Sequence, residues 1–129
     1  MAQLQILTVP DPRLKQRALP VPAVDAGARR LLEDMLEAMH AANGIGLAAP
    51  QVGVLKRLIV VDVADPDEPS RPYLMANPEI LWRSEQIAVG AEGCLSLPEH
   101  SADVRRPAQV RVRYLDPDNE PRELEADGL

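Results

Sequence analysis

The chain has 129 residues, with 14 Lys and Arg against 20 Asp and Glu, for a formal net charge of −6 with histidine neutral. That length builds one domain, residues 1–129, and a hydrophobic content of 46% supplies its core. The acidic balance argues against a nucleic-acid or anionic-lipid grip, no apolar run approaches the roughly 20 residues of a membrane span, and a single cysteine excludes an internal disulfide. No apolar signal stretch opens the chain, so a reducing, cytoplasmic setting is expected. Phe is absent, which leaves Leu, Val, Ile, Ala and Met to build the interior.

Pro10, Pro12, Pro20 and Pro22 make the first segment a poor helix, and it is expected to wrap a surface. From Ala28 to Ala42, Leu31, Leu32, Met35, Leu36 and Met39 recur at three- and four-residue spacing, which predicts an amphipathic helix. Asp25 is its expected N-cap, and Asn43 with Gly44 its stop. Leu58 to Val63 reads as a buried strand, followed by a solvated connection from Asp65 to Pro72. Tyr73 to Ala76, Ile80 to Trp82 and Ile87 to Val89 are further strand candidates.

Val110 to Leu115 and Arg122 to Ala126 alternate around the turn residues Asp116, Pro117, Asp118 and Asn119, which predicts a hairpin. Val110, Val112, Tyr114 and Leu124 should share its inner face, and Arg111 and Arg113 should oppose Glu123 and Glu125 outside. A calcium loop is excluded at Asp116 to Glu120, because Pro121 stands where such a loop needs glycine.

Two stretches carry candidate chemistry. Gly44 to Gln51 reads GIGLAAPQ, which satisfies a relaxed dinucleotide fingerprint, but a helix precedes it and Pro50 follows. A nucleotide site is therefore rejected. Glycines also serve simply to end helices; here they lead to Gln51, whose amide N–H can donate to a developing oxyanion. Glu92 to Glu99 reads EGCLSLPE and holds Cys94 in a shaped loop or strand end. Its thiolate suits nucleophilic attack or metal binding, and the alternative is a small buried side chain. His40 is expected to be a partly exposed helical side chain and His100 a loop residue.

GIGLAAPQ and EGCLSLPE, in this order, resemble the first and second signature motifs of bacterial peptide deformylases. VPDPRL (Val9 to Leu14), the helix before Gly44 and the final ELEADGL also resemble that family, so the likeness spans essentially the whole chain. It implies an α+β fold, with antiparallel or mixed sheets around an amphipathic helix. It also implies a mononuclear metal, ferrous iron natively and replaceable by nickel, cobalt or zinc. The implied reaction is removal of the formyl group from formyl-methionyl nascent polypeptides near the ribosome, with no nucleic acid or membrane contacted directly.

By position, the resemblance makes Cys94 the thiolate ligand. The Gln51 side chain and the Leu95 backbone N–H become oxyanion donors, and Gly44, Ile45 and Gly46 the cleft lining. The family's third motif, an HExxH on a central helix, is absent from the 129 residues. The site is then incomplete, and the chain by itself is expected to be inactive, to bind metal weakly and to leave apolar strand faces wet. The alternative is a catalytically dead, peptide-binding remnant or one half of a split protein.

Overall fold

The computed structural model describes residues 4–63, 69 and 72–127. One helix, α1 (Ala26–Ala41), is followed by β1 (Gly46–Ala48), β2 (Leu58–Val61), β3 (Tyr73–Arg83), β4 (Ile87–Cys94), β5 (Leu97–Pro107), β6 (Gln109–Leu115) and β7 (Pro121–Asp127). Single 3-10 turns occupy Pro12–Lys15 and Ala49–Val52. Five strands form a sheet in the order β1-β2-β3-β6-β7, and β4 and β5 form a two-stranded sheet of their own. Among the described residues every paired strand is antiparallel, and the one parallel feature is an isolated bridge between Leu19 and Lys56. The α+β class holds, with antiparallel rather than mixed sheets.

Helix α1 starts where Asp25 caps it, its carboxylate accepting the Ala28 N–H at 2.8 Å. It stops in a Schellman motif. Asn43 adopts φ 58°, its N–H donates to the His40 carbonyl at 3.0 Å, and the Gly44 N–H donates to Met39 at 2.9 Å. Leu32, Met35 and Met39 form the buried stripe between these caps, packing onto β1, β2 and β3. They meet Leu47, Ala49, Leu58, Val60 and Ala76, with Leu31 and Leu36 at the margin. Each fully buried Leu, Met or Val in this cluster contributes about 1.5–3 kcal/mol of transfer free energy.

The two short strands expected at Tyr73 to Ala76 and Ile80 to Trp82 are one strand, β3, kinked between them. Its register with β6 shifts between Ala76 and Glu79, where Asn77 takes φ 51° and Pro78 removes a ladder donor. Asn77 also clamps the N-terminal segment: its Oδ1 accepts the Val21 N–H and its Nδ2 donates to the Val21 carbonyl, both at 2.8 Å. The first segment does wrap the surface, tied by such bonds rather than by a helix of its own.

The predicted hairpin is β6 and β7, in the register that faces Val112 with Leu124. Asp116 closes it, one carboxylate oxygen accepting the Asp118 and Glu120 N–H groups at 2.9 and 3.0 Å, the other the Arg122 Nε at 2.9 Å. Arg111 pairs with Glu125 as expected, but Arg113 turns to Glu79 on β3, at 3.1 Å, instead of Glu123. Arg113 has neighbours on both sides, since β6 is flanked by β3 and β7.

Ile87 to Val89 grows into the longer β4, and β5 is a strand that sequence periodicity did not reveal. His100, expected in a loop, lies within β5. The connection from Asp65 to Pro72 falls largely outside the described residues, as do Gly128 and Leu129. Apolar side chains stand exposed on the sheets, among them Ile80, Trp82, Ile87 and Val89. No helix among the described residues is long and apolar enough to cross a membrane.

Candidate functional site

The stretch after α1 is built in three steps. Gly44 lies against Leu95, so close that a Cβ on it would fall 2.7 Å from Leu95 Cδ1. Ile45, 45% exposed, is held by its carbonyl, which accepts the Asp62 N–H at 2.9 Å. Gly46 opens β1 opposite Val61, with Leu47 opposite Val60 in the core. The glycine-rich stretch, expected to be only a helix stop and a cleft, is therefore also a short edge strand.

The chain then tightens into the Ala49–Val52 turn, closed by Gly53 at φ 84°. Within it, Gln51 is fixed at three atoms. Its Oε1 accepts the Ala48 N–H at 3.0 Å, and its backbone carbonyl accepts the Leu7 N–H at 2.6 Å. Its Nε2 donates to Ser96 Oγ at 3.1 Å and lies 3.6 Å from Cys94 Sγ. The carboxamide thus presents its donors to the second stretch, 43 to 45 residues away in sequence.

Cys94 ends β4, where the register with β5 shifts after Gly93. The thiol is exposed, so the bland alternative of a small core side chain is excluded. Leu95 and Ser96 form the turn into β5; the Leu95 side chain packs on the core and Ser96 is buried. The Ser96 carbonyl accepts the Val9 N–H at 3.0 Å, so the N-terminal segment straps both stretches at once. Arg106 braces β4 from β5, its guanidinium meeting both Glu92 carboxylate oxygens at 2.7 Å. That two-pronged pairing holds the Glu92 carboxyl below its usual range.

Gly44, Ile45, Gly46, Gln51, Cys94 and Leu95, all singled out from sequence, therefore converge on one corner of the fold. Two partnerships there were missed. Ser96 was passed over because a serine between two leucines carries no chemical signature of its own. His40 was read as a partly exposed helical side chain, which it is, but its partner was not foreseen: its Nε2 lies 3.0 Å from Oδ2 of the buried Asp62. A histidine in the last turn of a helix and an aspartate directly after an apolar strand were the available signal.

Among the described residues, no group of three His, Cys, Asp or Glu side chains could hold a metal ion. Cys94 offers a thiolate, and a catalytic zinc or iron site needs about three protein ligands. The described residues do not complete such a site.

A sequence profile described as Polypeptide deformylase matches residues 3–129. The peptide deformylase of Phenylobacterium zucineum is 53% identical over 129 residues, covering all of this chain and 76% of that protein. That of Methylocella silvestris is 53% identical over 127 residues, covering 96% of this chain and 65% of its own length. Among solved structures, peptide deformylase from Ehrlichia chaffeensis in complex with actinonin superposes with a TM-score of 0.93 at 41% identity, covering 99% of this chain and 77% of that one. The fold is thus that of a metal-dependent amide hydrolase of the α+β class. On a match that runs over nearly its whole length, the chain belongs to the peptide deformylase family.

Proposed function

We propose that the protein hydrolyses the N-formyl group from formyl-methionyl termini of new polypeptides, with Gln51 and the Leu95 N–H as the oxyanion donors. The observation that carries the reading is the Gln51 carboxamide, whose Nε2 lies 3.1 Å from Ser96 Oγ and 3.6 Å from Cys94 Sγ, so that a neutral donor stands beside the thiol. A formyl carbonyl gains negative charge as it becomes tetrahedral, and donors already oriented stabilise that charge without reorganising. Gly44, Ile45 and Gly46 are the proposed cleft lining; exposed Ile45 offers apolar surface to a methionine side chain, and the open side of Gly46, unlike that of Gly44, leaves room for a peptide backbone.

Cys94 is the proposed thiolate ligand to ferrous iron, with nickel, cobalt or zinc as replacements. The bound metal would supply a Lewis acid. The substrate is met near the ribosome, in the cytoplasm. The family match favours this enzyme over the dead, peptide-binding remnant.

The test is formate release from a formyl-methionyl tripeptide by the full-length gene product, supplied in turn with iron, nickel, cobalt and zinc. Formate is expected with at least one metal, and no acetate from the acetyl-methionyl analogue. Absence of formate with all four metals, in folded protein, rejects the proposal.

A further inference from the structure

A carboxamide on a flexible side chain turns easily, because its terminal torsion is broad and shallow. Gln51 can serve as a directed donor only if both ends of that group are held. Its oxygen is held by the Ala48 N–H at 3.0 Å. Its nitrogen has two neighbours, Ser96 Oγ at 3.1 Å and Cys94 Sγ at 3.6 Å. Sulfur is a weak acceptor and this thiol faces solvent, whereas a hydroxyl oxygen accepts well and Ser96 is buried. A buried hydroxyl cannot trade its partner for water at low cost. The backbone beneath it is also anchored, since the Ser96 carbonyl accepts the Val9 N–H.

We infer that Ser96 is a positioning residue for Gln51: its hydroxyl takes one Nε2 proton and thereby aims the other toward the Cys94 side of the carboxamide. The inference rests on the reading of Gln51 as an oxyanion donor, but it concerns a contact that exists without substrate or metal.

The first measurement uses full-length wild-type protein labelled with 15N in its glutamine side chains. Nuclear Overhauser contacts are expected between the Gln51 Nε2 protons and the Ser96 Hβ protons, with order at that amide close to the backbone's. Their absence overturns the inference with no variant involved. Ser96→Ala should give Gln51 the averaged side-chain amide signals of a surface glutamine such as Gln86, and Ser96→Thr should restore the wild-type ones; unchanged signals in Ser96→Ala count against it.

In turnover, Ser96→Ala should lower kcat about tenfold at unchanged KM, the cost of one directing hydrogen bond. Added to Gln51→Ala it should cost nothing more, and losses that multiply would show that Ser96 does not act through Gln51. Wild-type protein that gives the expected amide signals but no formate would reject the proposed reaction and leave the positioning role standing.

Discussion

Gly44 and Leu95 touch across the two signature stretches: a methyl group on Gly44 would overlap Leu95 Cδ1, at 2.7 Å from it. The helix stop therefore has a second duty, which is to let α1 end flush against the turn that follows Cys94. Gly44→Ala should destabilise the fold by about 1–3 kcal/mol, the usual cost of overpacking, and Leu95→Ala in the same chain should recover part of that loss. Urea denaturation of the two single variants and the double variant measures both. Equal stability of Gly44→Ala and wild type would mean that Leu95 yields without cost.

Removing the Gln51 carboxamide tests the chemistry directly. Gln51→Ala should lower kcat about 10²–10³-fold, the range for losing one oxyanion donor, with KM nearly unchanged. Steady-state kinetics on a formyl-methionyl peptide decides it. A rise in KM alone would place Gln51 in substrate binding.

Asn77 should be the costliest single polar residue to lose from β3. Asn77→Ala removes two hydrogen bonds of 2.8 Å to Val21 and leaves a side chain in a left-handed backbone conformation, so a loss of about 2–3 kcal/mol is expected. Asn77→Gly keeps the backbone free and should fall between that variant and wild type. Thermal unfolding of the three proteins gives the ranking.

His40→Ala should cost about 1 kcal/mol in urea denaturation, because the imidazole is half-exposed while Asp62 is buried and holds Ile45 through its own N–H. His40→Gln, which keeps a donor, should recover most of it. A His40→Ala variant as stable as wild type would show that the pair only decorates the corner.

Asp11 gives a prediction in pH. Arg13 hydrogen-bonds its carboxylate through the side chain and through the backbone N–H, and this lowers its pKa from 3.8 to about 2. A depressed carboxylate stabilises the fold above its unfolded pKa, and that contribution is lost as pH falls toward the folded value, here between about 4 and about 2. Carboxyl 13C titration should find the Asp11 midpoint near the lower limit in wild type and near the upper in Arg13→Ala. The pair is exposed, so the effect on unfolding should be slight.

What could be read from the sequence was whatever a few neighbouring residues decide among themselves. The helix with its Asp25 cap and Asn43-Gly44 stop, the β6–β7 hairpin and the membership of Gly44, Gln51 and Cys94 in special stretches all fall in that class. Caps, turns and periodicity act over one or two helical turns or one strand crossing, so their residues lie side by side in the chain. Strand β5 escaped because its polar run from Leu97 to Pro107 has no alternation, and it extends because β4 pairs with it. Strand β1 escaped because three residues beside glycines are too short to show a period; its extension comes from β2. The partnerships of Gln51 with Ser96, His40 with Asp62 and Asn77 with Val21 span 45, 22 and 56 residues. Only the packing of α1 and the strands could bring those atoms within hydrogen-bonding distance, because a hydrogen bond reaches about 3 Å and carries no trace in local composition.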